Sequence, residues 1–243
     1  MNTNSLSRQK TMCSILPSLC SLFVLCTLLI APACAEQIVV DAFGDSITSG
    51  YPYYTANGNG CLPPCGGYEP ELQKLLNSSG RDSAVKNFGV GSETSTDGLR
   101  RIDSVLSASK PRYVLLLEGT NELYFFSPST VTTNMSKMVE KTLASGAVPV
   151  LGTLTPDTRF PDKPITTTNS LLKALAAEKD IPLADLYSAT ASKWSSLTAD
   201  GLHPNLAGYK VLAQTWFKTI ATLEQQGNNA STVLPAIYLL LLD

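Results

Sequence analysis

The chain has 243 residues, 44% hydrophobic and 16% charged, with 18 Lys and Arg against 20 Asp and Glu. A net charge of −2 offers no basic face to nucleic acid. One histidine, and only two cysteines beyond residue 35, exclude a His/Cys zinc cluster.

Residues 1–35 read as a removable leader. Arg8 and Lys10 form a basic start, "SLCSLFVLCTLLIA" (18–31) an apolar stretch, and "ACA" (33–35) a small-residue cleavage site. This is the pattern of a secretory signal peptide, shorter than a membrane span needs. Ala31 stands where a lipid-attachment motif at Cys34 would carry Leu, which argues against a lipoprotein. Cleavage after Ala35 leaves 208 residues, enough for one domain with a full core, and takes the net charge from −2 to −4. An exported protein, periplasmic or extracellular, is expected.

"QIVVDAF" (37–43) is the first predicted strand, and "GDSITSG" (44–50) follows it. Ser46 has two readings. Asp and Ser are preferred helix N-caps, so Gly-Asp-Ser after a strand is by itself punctuation. A nucleophile at Ser46 requires a base, an orienting acid and oxyanion donors elsewhere in the chain. The motif is not the G-x-S-x-G elbow. "YPYY" (51–54) adds aromatics just beyond, for a pocket or for the core. "GCLPPCGG" (60–67) holds Cys61 and Cys65, which in a Pro/Gly loop of an exported protein are expected to form a disulfide.

Four more strands are predicted: "SAVKNF" (83–88), "RYVLLLE" (112–118), "AVPVLGTL" (147–154) and "IPLADL" (181–186). The second of these is apolar almost throughout, as a strand buried on both faces should be. Helical stripes alternate with them: Leu72, Leu75 and Leu76; Leu99, Ile102 and Leu106; Val131, Met135, Met138 and Thr142; Leu171, Leu172 and Leu175; Leu212, Trp216, Ile220 and Leu223. Strand–helix alternation implies an α/β protein with a parallel sheet and helices on both faces. Ligands in such sheets bind beyond the carboxyl ends of the strands, where Ser46 lies.

Three loops follow strands or open the last helix. "NFGVGSET" (87–94) is Gly-rich, and its backbone N–H groups can face a ligand. "EGTNEL" (118–123) offers the Asn121 amide. Both also read as ordinary capped turns. "ADGLHPNLAGY" (199–209) contains the single histidine. Asp200, three residues earlier, can turn back to bind the imidazole Nδ1–H and leave Nε2 free as a base. Pro204 can open the last helix. "YFF" (124–126) and "TPDTRFPDKP" (155–164) lie on the same edge, as pocket walls or as packing. Asn77, Asn134 and Asn229 begin N-x-S sequons.

These four segments, in this order, resemble the blocks of the GDSL/SGNH hydrolase family over roughly residues 38–222. "FGDSITSG" is similar to the first block, "NFGVGSETS" to the second, "GTNE" to the third and "DGLHP" to the fifth. The resemblance implies a three-layer α/β/α, flavodoxin-like fold with five parallel strands, no metal or organic cofactor, and acyl-ester hydrolysis. It implies a triad of Ser46, Asp200 and His203, with oxyanion donors from Ser46, Gly91 or Ser92, and Asn121. Two positions depart from the family. Glu122 replaces the third block's Asp, and Ser92 stands where the second block often has Gly, so the backbone angles of Ser92 decide whether that N–H can serve.

The expected organisation is a leader (1–35), a hydrolase domain (36–226) and a linker with a short apolar tail (227–243). The tail, "VLPAIYLLLLD" (233–243), is too short to span a bilayer; docking on the core, on a partner or on a membrane surface are its open readings. The expected substrate is a small-molecule or lipid ester, such as a lysophospholipid or fatty-acyl ester, turned over by a monomer. A carbohydrate O-deacetylase and a non-catalytic binding module on the same fold are the alternatives.

Overall fold

A computed structural model describes residues 37–53, 67–160 and 164–240, with side chains described as far as residue 227. The leader, Cys61 and Cys65 lie outside the described residues.

The five predicted strands all form, as β1 (Ile38–Gly44), β2 (Ser83–Gly89), β3 (Tyr113–Leu117), β4 (Val148–Gly152) and β5 (Leu183–Ala184). They make one parallel sheet in the order β2-β1-β3-β4-β5. This is the doubly wound, flavodoxin-like order, whose direction switches between β1 and β3. The central β3 is buried at every position, which explains its unbroken apolar run. β5 is a two-residue remnant at the edge.

Helices cover both faces. On one, α3 (Ser95–Ser109), α4 (Pro128–Ala144) and α5 (Ile165–Glu178) pack side by side. On the other, α2 (Glu69–Ser78) packs against the C-terminal helix, which runs Leu206–Leu240. The α4 stripe of Val131, Met135, Met138 and Thr142 is wholly buried, as are Leu212, Trp216 and Ile220 of the last helix. The α5 face differs from expectation: Leu171 points outward, and the buried face is Thr168, Asn169, Leu172, Leu175 and Ala176. Leu171 is about 100° around the helix from Leu172, and Asn169 is accepted inside because its amide bonds both the N–H and the carbonyl of Leu154.

The last helix also continues past the linker-like "QQGNNAST" to Leu240. Once a helix is nucleated, Asn, Ser and Thr cost it only tenths of a kcal/mol each and Gly227 about 1 kcal/mol, while Pro235 removes one hydrogen bond near its end. No helix among the described residues is long and apolar enough to cross a membrane.

Candidate active site

Gly44, Gly89 and Leu117 share one row of the sheet, at the carboxyl ends of β1, β2 and β3. The loops that carry Ser46, Gly91 with Ser92, and Asn121 all leave from this row. The approach is close: a Cβ on Gly44 would lie 2.2 Å from Thr48 Oγ1 and 2.4 Å from the Leu117 carbonyl, and one on Gly89 2.1 Å from the Ser49 nitrogen. Glycine at both places lets the Ser46 turn settle directly on the strand ends.

That turn is a short helix, α1 (Ser46–Ser49), and its cap is Asp45, whose carboxylate accepts the Ile47 N–H at 2.8 Å. Asp45 takes the capping role, and the Ser46 hydroxyl is left for another partner. Its Oγ lies 2.9 Å from His203 Nε2. On the far side of the ring, His203 Nδ1 lies 2.7 Å from Asp200 Oδ2. The backbone N–H groups of Leu202 and His203 donate to Asp200 Oδ1 at 3.0 and 2.8 Å. Burial raises the Asp200 pKa, but the hydrogen bonds it accepts outweigh burial and hold it at about 2. An ionised Asp200 requires the Nδ1 proton to face it, so Nε2 is the acceptor for the Ser46 O–H. Ser46 and His203 are both buried, at 8% and 9% exposure.

The histidine loop is held from within. The Thr198 hydroxyl donates to the His203 carbonyl and accepts the Gly201 N–H, at 2.9 and 2.8 Å. Trp194 Nε1 donates to the Gly201 carbonyl at 3.0 Å. Gly201 sits at φ +95°, where only glycine is unstrained. Pro204 does not open the helix. It pairs with Thr198 in a β-bridge, and Asn205 caps the helix by accepting the Gly208 N–H at 3.0 Å. A polar cap satisfies the helix's free N–H groups, which a proline cannot.

The second and third loops meet each other. Asn121 opens a 3₁₀ turn (Asn121–Tyr124), and its Nδ2 donates to the Glu93 carbonyl at 2.8 Å. Gly91 and Ser92 are exposed. Ser92 adopts φ +63°, so serine here takes up the left-handed conformation that glycine holds more easily.

Further residues pack around these loops. Glu122, the departure from the family, is buried and accepts both the N–H and the hydroxyl of Ser95, tying the 3₁₀ turn to the start of α3. Burial raises its pKa against those bonds. Asn134 of α4 donates to Ser95 and Thr96 at 2.9 and 3.0 Å, so this sequon asparagine is engaged inside the fold. Asn77 accepts from Ser83. The Tyr51 ring rests 4.4 Å from the His203 ring, and its carbonyl accepts the Tyr209 O–H at 2.7 Å. Glu118, at the end of β3, is fully buried. Burial first, then the carboxylates of Asp45 and Glu93, hold its pKa well above the ordinary range. Apolar side chains crowd the same edge. Tyr124, Phe125, Phe126 and Phe160 are all exposed, and Phe160 meets Tyr124 edge-on at 4.3 Å. Thr158 binds the Gly201 carbonyl through its N–H at 2.9 Å, which joins the 155–160 loop to the histidine loop.

Among the described residues no group of three or more His, Cys, Asp and Glu side chains is arranged to hold a metal ion. The arrangement suits acyl transfer: a buried hydroxyl hydrogen-bonded to an imidazole, beside loops rich in N–H donors.

The chain is similar to known proteins. The chain is 30% identical over 199 residues to Esterase TesA of Pseudomonas aeruginosa, covering 81% of this chain and 93% of that one. It is 24% identical over 196 residues to Thioesterase 1/protease 1/lysophospholipase L1 of Escherichia coli K12, covering 79% and 86%. A crystal structure of TesA superposes with a TM-score of 0.64 at 27% identity, over 76% of this chain and 99% of that one. The family described as GDSL-like Lipase/Acylhydrolase matches residues 42–211, a span from β1 to the start of the last helix. The chain belongs to that family and is an ester hydrolase.

Proposed function

We propose that the protein hydrolyses carboxylic acyl esters through an acyl-serine intermediate, with Ser46 as nucleophile, His203 as general base and Asp200 as its orienting acid. One observation carries the reading: the imidazole bridges Ser46 Oγ at 2.9 Å and Asp200 Oδ2 at 2.7 Å.

Ser46 Oγ attacks the ester carbonyl as its proton passes to His203 Nε2. The imidazolium is stabilised by the Asp200 carboxylate, which stays ionised. The oxyanion takes hydrogen bonds from the Ser46 N–H, the N–H of Gly91 or Ser92, and the second N–H of Asn121. Collapse expels the alkoxide, which takes the Nε2 proton and leaves as alcohol. Water, deprotonated by Nε2, then attacks the acyl-serine, and the carboxylic acid departs with Ser46 regenerated. All these residues come from one chain, which supports action as a monomer.

The exposed Tyr124, Phe125, Phe126 and Phe160 lie just past Asn121 and on the loop joined to Gly201, which supports an apolar acyl group rather than acetate alone. The E. coli relative's names as thioesterase and lysophospholipase agree with an acyl substrate. The leader supports export, with cleavage after Ala35. A chain-length series of p-nitrophenyl esters, run beside acetylated xylan, tests the reading. Turnover should rise from acetate towards medium chains and be abolished in Ser46→Ala. Preference for acetylated xylan would favour a deacetylase, and no turnover of any ester would favour a binding module.

A further inference from the structure

Two charged side chains beside the site take no part in these proton transfers: Arg101 of α3, and Glu93 in the loop before it. Their pairing is bidentate. Arg101 Nε donates to Glu93 Oε1 at 2.6 Å, and a terminal nitrogen donates to Oε2. That same nitrogen donates to the Phe88 carbonyl at 2.8 Å and reaches the Gly44 carbonyl at 3.3 Å. The guanidinium carbon lies 3.9 Å from the centre of the Phe43 ring. The two side chains are 23% and 4% exposed. Gly44 is two residues before Ser46; Phe88 is at the end of β2; Glu93 follows Gly91 and Ser92. The Glu93 carbonyl in turn accepts the Asn121 amide at 2.8 Å. One guanidinium therefore grips the ends of two strands and the residue to which Asn121 is tied.

We propose that Arg101 and Glu93 are positioning residues for one oxyanion donor, Asn121: their pairing fixes the Glu93 backbone against the strand ends, and the Glu93 carbonyl in turn sets the plane of the Asn121 amide. The inference rests on the catalytic reading of Ser46 and Asn121 above. An amide carries its two N–H bonds in one plane, so anchoring one on a carbonyl aims the other. Oxyanion donors must lie within a few tenths of an ångström of their best distance, and a misplacement of about 1 Å can cost about 100-fold in rate. Arginine suits the task and lysine does not. A planar fork can meet two carboxylate oxygens and two carbonyls while stacked on a ring, whereas an ammonium is a point charge on a flexible stem.

A pair that merely ties α3 to the sheet would alter the amount of folded enzyme, not the aim of the donors. The two roles separate in a double-mutant cycle on a soluble p-nitrophenyl ester, with folding followed by circular dichroism. Arg101→Lys and Glu93→Gln should each lower kcat by roughly 10- to 100-fold with KM within about threefold. In the Asn121→Ala background either change should cost no more than about threefold further, because the aimed donor is already gone. Loss of folded enzyme would instead lower kcat by the same factor in both backgrounds. Multiplying losses, wild-type kcat in either single variant, or failure of both variants to fold would each overturn the proposal. Ser46→Ala is run in parallel. If it still turns over, the catalytic reading fails first, and the cycle then reports on a different site.

Discussion

At the scale of single residues, the site depends on Asp45 and Ser46 dividing their work. Asp45 caps α1, and Ser46 meets His203. If Ser46 and His203 act as a unit, Ser46→Ala and His203→Ala should each cost several orders of magnitude in kcat and the double mutant little more. Retention of more than about a tenth of wild-type activity by His203→Ala would return Ser46 to a structural role. Asn121→Ala should lower kcat by roughly 100- to 1,000-fold at similar KM; an unchanged kcat would leave Asn121 as a turn residue. Glu118 provides a test in stability. Its carboxyl is protonated in the fold but, above the ordinary value of 4.5, ionised in the unfolded chain. Stability from this group is therefore full at low pH and lost as pH rises towards its higher folded value. Glu118→Gln should gain melting temperature over wild type between pH 5 and pH 8, by roughly a few degrees in a domain of this size. A difference that does not change with pH would mean that Glu118 is ionised and paired.

At the scale of elements, each loop of the site was legible because its signal is local. Gly-Asp-Ser after a strand, and Asp three residues before His, are short patterns that one turn of chain realises. The strands were legible too, from apolar runs broken by turn residues. Arg101, Glu93 and Glu118 were not. They come together only because β1, β2 and β3 end at one height, and nothing in the spacing of Glu93 and Arg101 marks an ion pair. The outward turn of Leu171 was missed for a related reason: Thr168 and Asn169 replace it on the buried face, where their side chains bond the backbone. The sequence between α1 and α2 carries Cys61 and Cys65, outside the described residues. A bridge closing so short a loop contributes only about 2 kcal/mol in the chain-entropy model, so reduction should change KM more than melting temperature. Two free thiols in the purified protein would remove the bridge from the account.

At the scale of the whole molecule, the fold is a doubly wound sheet with the candidate site at the switch point between β1 and β3, as that topology favours. The last helix packs on α2 and then extends beyond residue 227 to Leu240. Deleting residues 228–243 should leave kcat on a soluble ester within a few-fold, and a collapse in kcat with the fold intact would tie the end of the helix to the site. The hydroxyl and the imidazole that meet at 2.9 Å stand 157 residues apart in the chain. The hydroxyl is synthesised early and the imidazole late, and closing so long a loop is worthwhile only once the sheet between them exists. If the two act as a unit, a nascent or unfolded chain holds an ordinary serine and an ordinary histidine and should cleave no ester.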